Sequence, residues 1–235
     1  MSKHHVSVIT PVYNERRTLE ENIRRIRESF LGTPYTYEII IVDDNSPDGS
    51  GELADRIASS CGDVKVIHRP SRRGLGTAYK EAFPRTSGDL IVSMDSDLSH
   101  DPVIFPEMIR ETDGADIVIG SRLKSGGKII GRKWSRDLLT VFSNWAIRTI
   151  TGIGIMDWTS GLRIYRRAVW EKMMPRVHCY KWDFQFESLY KSIREGFTVC
   201  EVPITFHERA DGESKFSASE AYGFVKSFIK VVLGG

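Results

Sequence analysis

The chain has 235 residues, 40% of them hydrophobic, and its 33 lysine and arginine residues nearly balance 31 aspartate and glutamate residues. This length fits one sizeable α/β domain, and a formal net charge of +2 excludes a chain-wide field that attracts nucleic acid or a membrane. No low-complexity tract and no apolar stretch of about 18 residues occurs, so we expect no helix that spans a bilayer.

The two ends of the chain and its cysteines bear on the cellular compartment. The N-terminal MSKHHVSVIT is too short and too polar before its first strand to be a secretory signal. Cys61, Cys179 and Cys200 are widely spaced without metal-ligand spacing, as expected of reduced thiols in a cytosolic protein. The C-terminal YGFVKSFIKVVLGG is apolar enough to rest on a membrane or a partner, and it equally fits a chain cut before a membrane segment.

The first half of the chain alternates predicted strands and helices. Residues 5–13 alternate and are β-branched, which predicts a strand that ends at Pro11, and residues 17–30 have helical spacing with Thr18 as N-cap. A continuous apolar run within 37–42 predicts a strand buried on both faces. The remaining predicted elements are a helix over 50–60, a strand over 64–68, a helix over 75–85, a strand over 89–95, a helix over 103–112 and a strand over 115–121.

After residue 125 the alternation becomes less regular. Residues 125–134 are predicted to form a loop, and residues 135–152 a helix that is apolar almost all round. The predicted elements that follow are a strand and helix over 161–173, an amphipathic helix over 183–196 and a strand over 197–209.

This order predicts an α/β fold with a mostly parallel sheet and helices on both faces, joined by right-handed crossovers. Ligands of such sheets bind outside the carboxyl ends of the strands. Four polar clusters follow predicted strands there: Tyr13-Asn14-Glu15, Asp43-Asp44-Asn45, Asp95-Ser96-Asp97 and Ser121-Arg122. We therefore predict a binding site at this edge.

The triplet Asp95-Ser96-Asp97 is the strongest of these signals. Hard carboxylate oxygens suit Mg²⁺ or Mn²⁺, which keep waters and share a substrate's phosphates. Capping aspartates in a strand-end turn are the alternative, but a second acidic pair, Asp43-Asp44, favours the metal. That pair fits hydrogen bonds to a base or ribose, or an Asx-turn. A phosphorylated receiver, typically ~120 residues long, would need a lysine partner that nothing here marks.

Glycine and arginine residues supply the candidate phosphate ligands. The segment PSRRGLGTAYK lacks the spacing of a phosphate-binding fingerprint and fits a loop that opens a helix near a pyrophosphate. Basic residues crowd the loop after the strand over 115–121, namely Arg122, Lys124, Lys128, Arg132, Lys133 and Arg136. Arg122 directly follows a buried strand, whereas Lys124 and Lys128 fit solvated surface charges. Trp134 and Trp145 fit core positions or a face toward lipid.

Seven ordered segments, spanning residue 5 to about 220, resemble the family-2 glycosyltransferases with a GT-A fold, and more closely the dolichyl-phosphate mannose synthases. The segments are VSVITPVYNERRTLEENI, EIIIVDDNSPDGS, RGLGTAYKEAF, SGDLIVSMDSDLSHDP, DIVIGSR, DWTSGLRIYRR and PITFHERADGESKF. The resemblance implies one GT-A type nucleotide-diphospho-sugar transferase domain over 1–235. Its nucleotide-sugar half would be 1–122 and its acceptor half, with possible membrane-facing helices, 123–235.

The implied reaction is inverting transfer of mannose from GDP-mannose to dolichyl or another polyprenyl phosphate, with Mg²⁺ or Mn²⁺ as cofactor. The implied nucleotide-sugar site is Pro11, Tyr13, Glu15, Val42, Asp44, Asp95, Ser96, Lys181, Arg209 and Lys215. The implied metal ligands are Asp95, Asp97 and Ser99, the last where some members place Gln. The implied acceptor-phosphate ligands are Arg122, Arg136 and Thr140, the last where Ser is usual. Asp97 and Arg122 would be catalytic.

Because the nucleophile would be an anionic phosphate oxygen, no strong general base is required. We interpret Asp157 as a carboxylate that positions a loop, with base catalysis the alternative. The resemblance also implies a cytoplasmic enzyme at a membrane surface, with or without a small anchoring partner, and no nucleic-acid partner.

Two rival functions remain on the sequence alone, and a third lacks the signature that it needs. A UDP-glucose-dependent polyprenyl-phosphate glucosyltransferase would share the fold and the acidic triplet, although ERADGESKF and DWTSGLRIYRR favour mannose. A non-catalytic nucleotide-sugar binding module would bind without turnover. A sugar-nucleotide pyrophosphorylase would need a glycine-rich signature where this chain has PVYNERR.

Overall fold

A computed structural model describes residues 4–181, 183–208 and 218–233, with the side chains of 218–222 left out. Its strands are β1 (His5–Val12), β2 (Thr36–Asp43), β3 (Val64–His68), β4 (Leu90–Ser93), β5 (Ile117–Ser121), β6 (Lys128–Ile130), β7 (Arg163–Arg166), β8 (Val199–Pro203) and β9 (Thr205–His207). Its helices are α1 (Leu19–Ser29), α2 (Ser50–Ser60), α3 (Leu75–Ala82), α4 (Phe105–Glu111), α5 (Trp134–Thr151), α6 (Arg167–Met173), α7 (Asp183–Arg194) and α8 (Ala218–Leu233).

Seven strands form the main sheet in the order β3-β2-β1-β4-β7-β5-β8. Every neighbouring pair is parallel except those of β7, which runs antiparallel to both β4 and β5. The predicted mostly parallel sheet is therefore confirmed. Because β1, β2 and β4 are parallel neighbours, the residues after them meet at one edge.

Helices cover both faces of this sheet, as predicted. On one face the core includes Leu19 and Ile23 of α1, and Phe105 of α4, all nearly inaccessible to solvent. On the other face Tyr79 of α3 and Trp170 of α6 meet edge to face, with their ring centroids 6.2 Å apart. Burial of these large apolar side chains stabilises the platform on which the polar strand ends lie.

Two predictions about the first strand and helix need correction. β1 continues past Pro11 to Val12, and this is tolerated because β1 pairs with β4 only from Val6 to Ile9, so the missing proline N–H breaks no bond of that ladder. Thr18 does not cap α1 through its side chain. Its hydroxyl instead donates to the backbone oxygen and carboxylate of Glu15.

The predicted loop over 125–134 was also wrong in part. Residues Lys128–Ile130 form β6, which pairs in parallel with β9 as a separate two-stranded sheet. Three residues of alternating exposure are too short for a periodicity signal, so the pairing depends on a partner 75 or more positions away. The helix predicted over 103–112 is shorter, because residues Pro102–Ile104 form a 3₁₀ turn before α4.

Helix α5 exposes an apolar face that no other described element covers. Trp134 is 74% exposed, Phe142 62% and Trp145 56%. Leu138 and Val141 lie on the same face at helical spacing and are also exposed. Nevertheless, within the described ranges no helix is both long and apolar enough to cross a membrane.

Candidate active site

A cavity of about 350 Å³ opens at the carboxyl ends of β1, β2 and β4. Its lining is Pro11, Val12, Tyr13, Glu15, Asp44, Arg72, Arg73, Gly74, Leu75, Asp95, Ser96, Asp97 and Lys181. Eight of the residues predicted for the nucleotide-sugar and metal sites are thus brought together. Val42 is not among them, and its side chain is fully buried. The predicted Arg209 and Lys215 lie outside the described residues.

Asp44 is held at the cavity wall by a buried arginine that the sequence analysis missed. Arg69, which is 2% exposed, donates from Nη1 to Asp44 Oδ1 at 2.7 Å and also donates to Thr77. Burial raises the pKa of Asp44 above its usual value, an effect that the charges of Arg69 and Arg72 oppose. The available signal was an arginine directly after a predicted strand, as with Arg122.

Tyr13 lines the cavity under a second arginine. The Arg72 guanidinium carbon lies 5.1 Å from the centroid of the Tyr13 ring, within cation–π range. A ring and a carboxylate on one wall form a surface that suits a nucleobase, since stacking and edge hydrogen bonds can act together.

The triplet turn follows β4 directly. The Ser96 hydroxyl donates to the backbone oxygen of Pro11 at 3.0 Å, which ties the turn to β1. Asp97 Oδ1 accepts hydrogen bonds from the Ser99 backbone N–H at 3.1 Å and from its hydroxyl at 2.5 Å. Leu98 has a φ of 62°, which shows how tightly this turn folds back.

The predicted third ligand, Ser99, does not reach the cavity. It is 1% exposed, is absent from the cavity lining, and directs its hydroxyl toward Asp97. The third acidic residue of the stretch, Asp101, instead caps the following 3₁₀ turn by accepting from the Val103 N–H.

Two lining carboxylates fit a metal that completes its coordination elsewhere. No group of three His, Cys, Asp or Glu side chains in the described part of the chain is arranged to hold an ion. A closed protein cage is therefore not built from these residues. Mg²⁺ and Mn²⁺ commonly bind through one or two carboxylates and take water and substrate phosphate for the rest, so the residues fit such an ion.

His100 is a buried side chain that links the triplet to the small sheet. Its Nε2 lies 3.8 Å from Asp95 Oδ2, and its ring meets that of Phe206 of β9 edge to face. Burial lowers the pKa of His100 to about 4 despite the opposing charge of Asp97. His100 is therefore uncharged at neutral pH. His100 was not among the predicted site residues.

Arg122 and Asp157 form a buried, bidentate ion pair beside this cluster. Arg122 Nε and Nη2 each donate to Asp157 at 2.7 Å, and Nη2 also donates to Thr159. Burial alone would raise the pKa of Asp157, but the charge and hydrogen bonds of Arg122 outweigh it and hold the pKa below its usual value. The Asp157 carboxylate is ionised, and both of its oxygens accept hydrogen bonds. This suits a residue that positions Arg122 and opposes a role as a proton acceptor.

The remaining predicted acceptor residues lie at the start of α5. Arg136 is ion-paired with Glu208, and the buried Thr140 hydroxyl accepts a hydrogen bond from Arg132 at 3.0 Å. Burial lowers the pKa of Arg132, reinforced by the like charges of Arg136 and Arg122. These like-charge effects indicate that the three guanidinium groups share one region.

A close backbone contact joins the two halves of the cavity. The Gly76 N–H donates to the Tyr180 backbone oxygen at 2.9 Å. Gly74 has a φ of +100°, and a Cβ at that position would lie 2.3 Å from the same oxygen. Only glycine permits this approach. The contact brings Lys181, from the second half of the chain, into the cavity wall.

Comparisons with known proteins agree with this geometry. The family model Glycosyl transferase family 2 matches residues 7–174. The polyprenol monophosphomannose synthase of Mycolicibacterium smegmatis is 42% identical over 218 residues, covering 90% of this chain and 81% of that protein. The undecaprenyl-phosphate mannosyltransferase of Micrococcus luteus is 36% identical over 216 residues, covering 90% of this chain and 87% of that protein.

Solved structures with the same fold are more distant in sequence. Glucosyl-3-phosphoglycerate synthase from Mycobacterium tuberculosis, in complex with Mn²⁺, UDP-glucose and phosphoglyceric acid, superposes with a TM-score of 0.72 at 20% identity. The match covers 98% of this chain and 79% of that one. Its UDP complex gives a TM-score of 0.71. These likenesses support the GT-A fold.

Proposed function

Because the chain belongs to glycosyl transferase family 2, we propose that it transfers mannose from GDP-mannose to the phosphate of a polyprenyl phosphate lipid. The observation that carries this proposal is the similarity of the chain to two enzymes whose names specify mannose and a polyprenyl acceptor. They are 42% and 36% identical to this chain over 90% of its length. The geometry of the site supports it in three ways. The acidic triplet lines the cavity, Tyr13 and Asp44 form a wall that suits a nucleobase, and a group of arginines lies near the start of α5.

In the proposed reaction, an oxygen of the lipid phosphate attacks the anomeric carbon of mannose, and the bond from that carbon to the diphosphate breaks. The configuration inverts and GDP leaves. The attacking oxygen is already anionic, so the chain need not supply a base. Asp95 and Asp97 would hold Mg²⁺ or Mn²⁺, which would supply positive charge to the leaving diphosphate.

The chain's own residues have the harder task of bringing two anions together. Arg72, Arg73 and Lys181 line the cavity beside the triplet, where a diphosphate would lie. Arg122 and Arg136 lie on the acceptor side, with Thr140 beside them. Preorganised positive charge in a site that is partly closed to water stabilises the transition state more than it would in bulk solvent.

The same cavity favours guanine as the base. Guanine offers two adjacent N–H donors along one edge, and a carboxylate can accept both. Asp44, oriented by Arg69, is a lining carboxylate suited to this role, with Tyr13 as the stacking surface. Uracil offers a single N–H donor there, so a glucosyltransferase that uses UDP-glucose gains less from this wall.

We expect GDP to bind more tightly than UDP or ADP when each is titrated by calorimetry with Mn²⁺ present. Turnover of radiolabelled GDP-mannose with a polyprenyl phosphate should likewise exceed that of UDP-glucose. Asp44→Asn, which keeps shape but replaces one acceptor with a donor, should weaken GDP by about tenfold or more. Tighter binding of UDP would favour the glucosyltransferase, and GDP binding without any turnover would favour a binding module.

The exposed face of α5 is proposed to contact the membrane that carries the lipid. Tryptophan and other amphipathic rings favour the interface between water and acyl chains. Lys133 and Arg148, near the two ends of α5, add charges that attract anionic headgroups. The arginine region at the start of α5 would then lie close to the headgroups.

Wild-type protein should co-sediment with vesicles that contain anionic phospholipid, whereas the double variant Phe142→Ser and Trp145→Ser should bind at least tenfold more weakly. Each buried aromatic side chain contributes about 1.5–3 kcal/mol of transfer free energy. Leu31→Ser is the matched control, because Leu31 is 76% exposed but lies beyond α1. Equal vesicle binding by all three proteins would exclude this face.

A further inference from the structure

The small sheet brings two oppositely charged side chains together. β6 and β9 are parallel, so the residues that follow them leave the sheet at the same edge. The Glu208 backbone N–H donates to the Ile130 oxygen at 2.8 Å, which fixes the start of Glu208. Gly131, with a φ of +79°, turns the chain after β6 toward Arg132. Arg132 and Glu208 therefore meet although 76 positions separate them.

The Glu208 carboxylate lies between two guanidinium groups. Its Oε1 accepts from Arg136 Nη1, and its Oε2 lies 3.7 Å from Arg132 Nε. A single anion thus bridges two arginines at the start of α5. Planar guanidinium groups hold phosphate in the same bridging manner.

This arrangement is incomplete on the arginine side. Arg132 Nε is buried and has no hydrogen-bond partner among the described residues. Both of its nearby carboxylates, those of Glu208 and Asp137, are beyond hydrogen-bond distance at 3.7 and 3.8 Å. A buried charged donor without a partner costs about 1–3 kcal/mol or more, so an anion with additional oxygens would be stabilised here.

We propose that the Glu208 carboxylate holds the place of the acceptor phosphate, which displaces it and takes Arg132 and Arg136 as its ligands. This inference rests on the proposed function and adds Arg132 to the expected acceptor residues. A phosphate monoester carries about −1.5 to −2 charges and three acceptor oxygens, against one charge and two oxygens for Glu208. The incoming phosphate can therefore accept hydrogen bonds from both arginines, whereas the Glu208 carboxylate accepts one from Arg136 only.

The proposed displacement should also affect a free phosphate ion and a lipid phosphate differently. A free phosphate ion must displace Glu208 without other contacts, whereas a lipid phosphate is brought to the site by its chain. The carboxylate thus lowers the affinity for both, and the lipid recovers affinity through its apolar part. Glu208 would keep soluble anions out of the acceptor site.

Glu208→Gln tests this directly, because it keeps the shape and removes the competing charge. We expect the KM for a polyprenyl phosphate to fall about tenfold, and inorganic phosphate to become a stronger competitive inhibitor by a similar factor. The KM for GDP-mannose should not change. Arg132→Gln should act in the opposite direction and raise the acceptor KM at least tenfold.

Glu195→Gln is the matched control. Glu195 also bridges two cations, Lys172 and Arg176, and its side chain is 29% exposed against 28% for Glu208. It lies away from the cavity and should leave both KM values unchanged.

If Glu208 served only to orient Arg136, the Glu208→Gln substitution would raise the acceptor KM instead of lowering it. An acceptor KM that rises or stays constant in Glu208→Gln would overturn the inference. Calorimetric titration with inorganic phosphate alone separates this failure from that of the proposed function. If wild type turns over no polyprenyl phosphate, the proposed function fails. The Glu208 inference then still requires phosphate to bind the variant more tightly than wild type.

Discussion

Replacing Asp97 with asparagine is expected to lower turnover by about 100-fold or more, with little change in melting temperature. The carboxylate lines the cavity, and its charge would hold the divalent ion beside the leaving diphosphate. Its Oδ1 also accepts the two Ser99 hydrogen bonds that fix the turn. An asparagine side chain can keep both bonds with its own oxygen, so the variant removes the charge and preserves the turn.

The measurement is mannose turnover at saturating Mg²⁺ or Mn²⁺, with and without a chelator. Asp101→Asn provides the control, because Asp101 belongs to the same acidic stretch but caps a 3₁₀ turn outside the cavity lining. That variant should retain most of its activity. Near-normal turnover in Asp97→Asn, or full wild-type activity in EDTA, would contradict the assignment of Asp97 as a metal ligand.

The donor side of the site could be predicted from the sequence because its determinants are local. Parallel strands that end in polar residues place those residues at one edge, whatever the details of packing. Tyr13, Asp44 and Asp95 therefore meet as expected. Val42 was assigned to the pocket by family resemblance, but its side chain lies in the core, because helices cover both faces of the sheet around β2.

The acceptor side could not be predicted in the same way because its contacts are distant in sequence. Arg122 meets Asp157 after 35 positions, and Arg136 meets Glu208 after 72. The Arg122 pairing depends on loops, and the Arg136 pairing depends on the small sheet, whose three-residue strands are too short to give a periodicity signal. The family resemblance, together with the position of Arg122 after a buried strand, marked Arg122 and Arg136 as phosphate ligands, but neither signal indicated that carboxylates already pair with them.

The ion pair with Asp157 changes the expected effect of replacing Arg122. Arg122→Gln leaves the Asp157 carboxylate completely buried without its partner, so we expect the free energy of unfolding to fall by about 3–5 kcal/mol. Asp157→Asn should cost a similar amount, because it leaves the Arg122 guanidinium buried and unpaired by charge. Neither single variant separates a structural role from a role in acceptor binding.

The double variant Arg122→Gln and Asp157→Asn makes that separation. Removing both charges avoids an isolated buried ion, so most of the lost stability should return. Acceptor kcat/KM should nevertheless stay about ten- to a hundred-fold below wild type, since a charge-assisted contact to phosphate contributes about 1.5–3 kcal/mol. GDP binding should remain near wild type, because neither residue lines the nucleotide cavity.

Urea unfolding, GDP calorimetry and acceptor kinetics on the same four proteins give the full cycle. If the double variant regains both stability and acceptor kinetics, Arg122 serves only the fold, and the acceptor phosphate depends on Arg132 and Arg136. If stability returns while acceptor kinetics do not, the guanidinium contacts the lipid phosphate and Asp157 orients it. Arg122 Nε and Nη2 face Asp157 and Thr159, so a phosphate oxygen would approach from the side of Nη1.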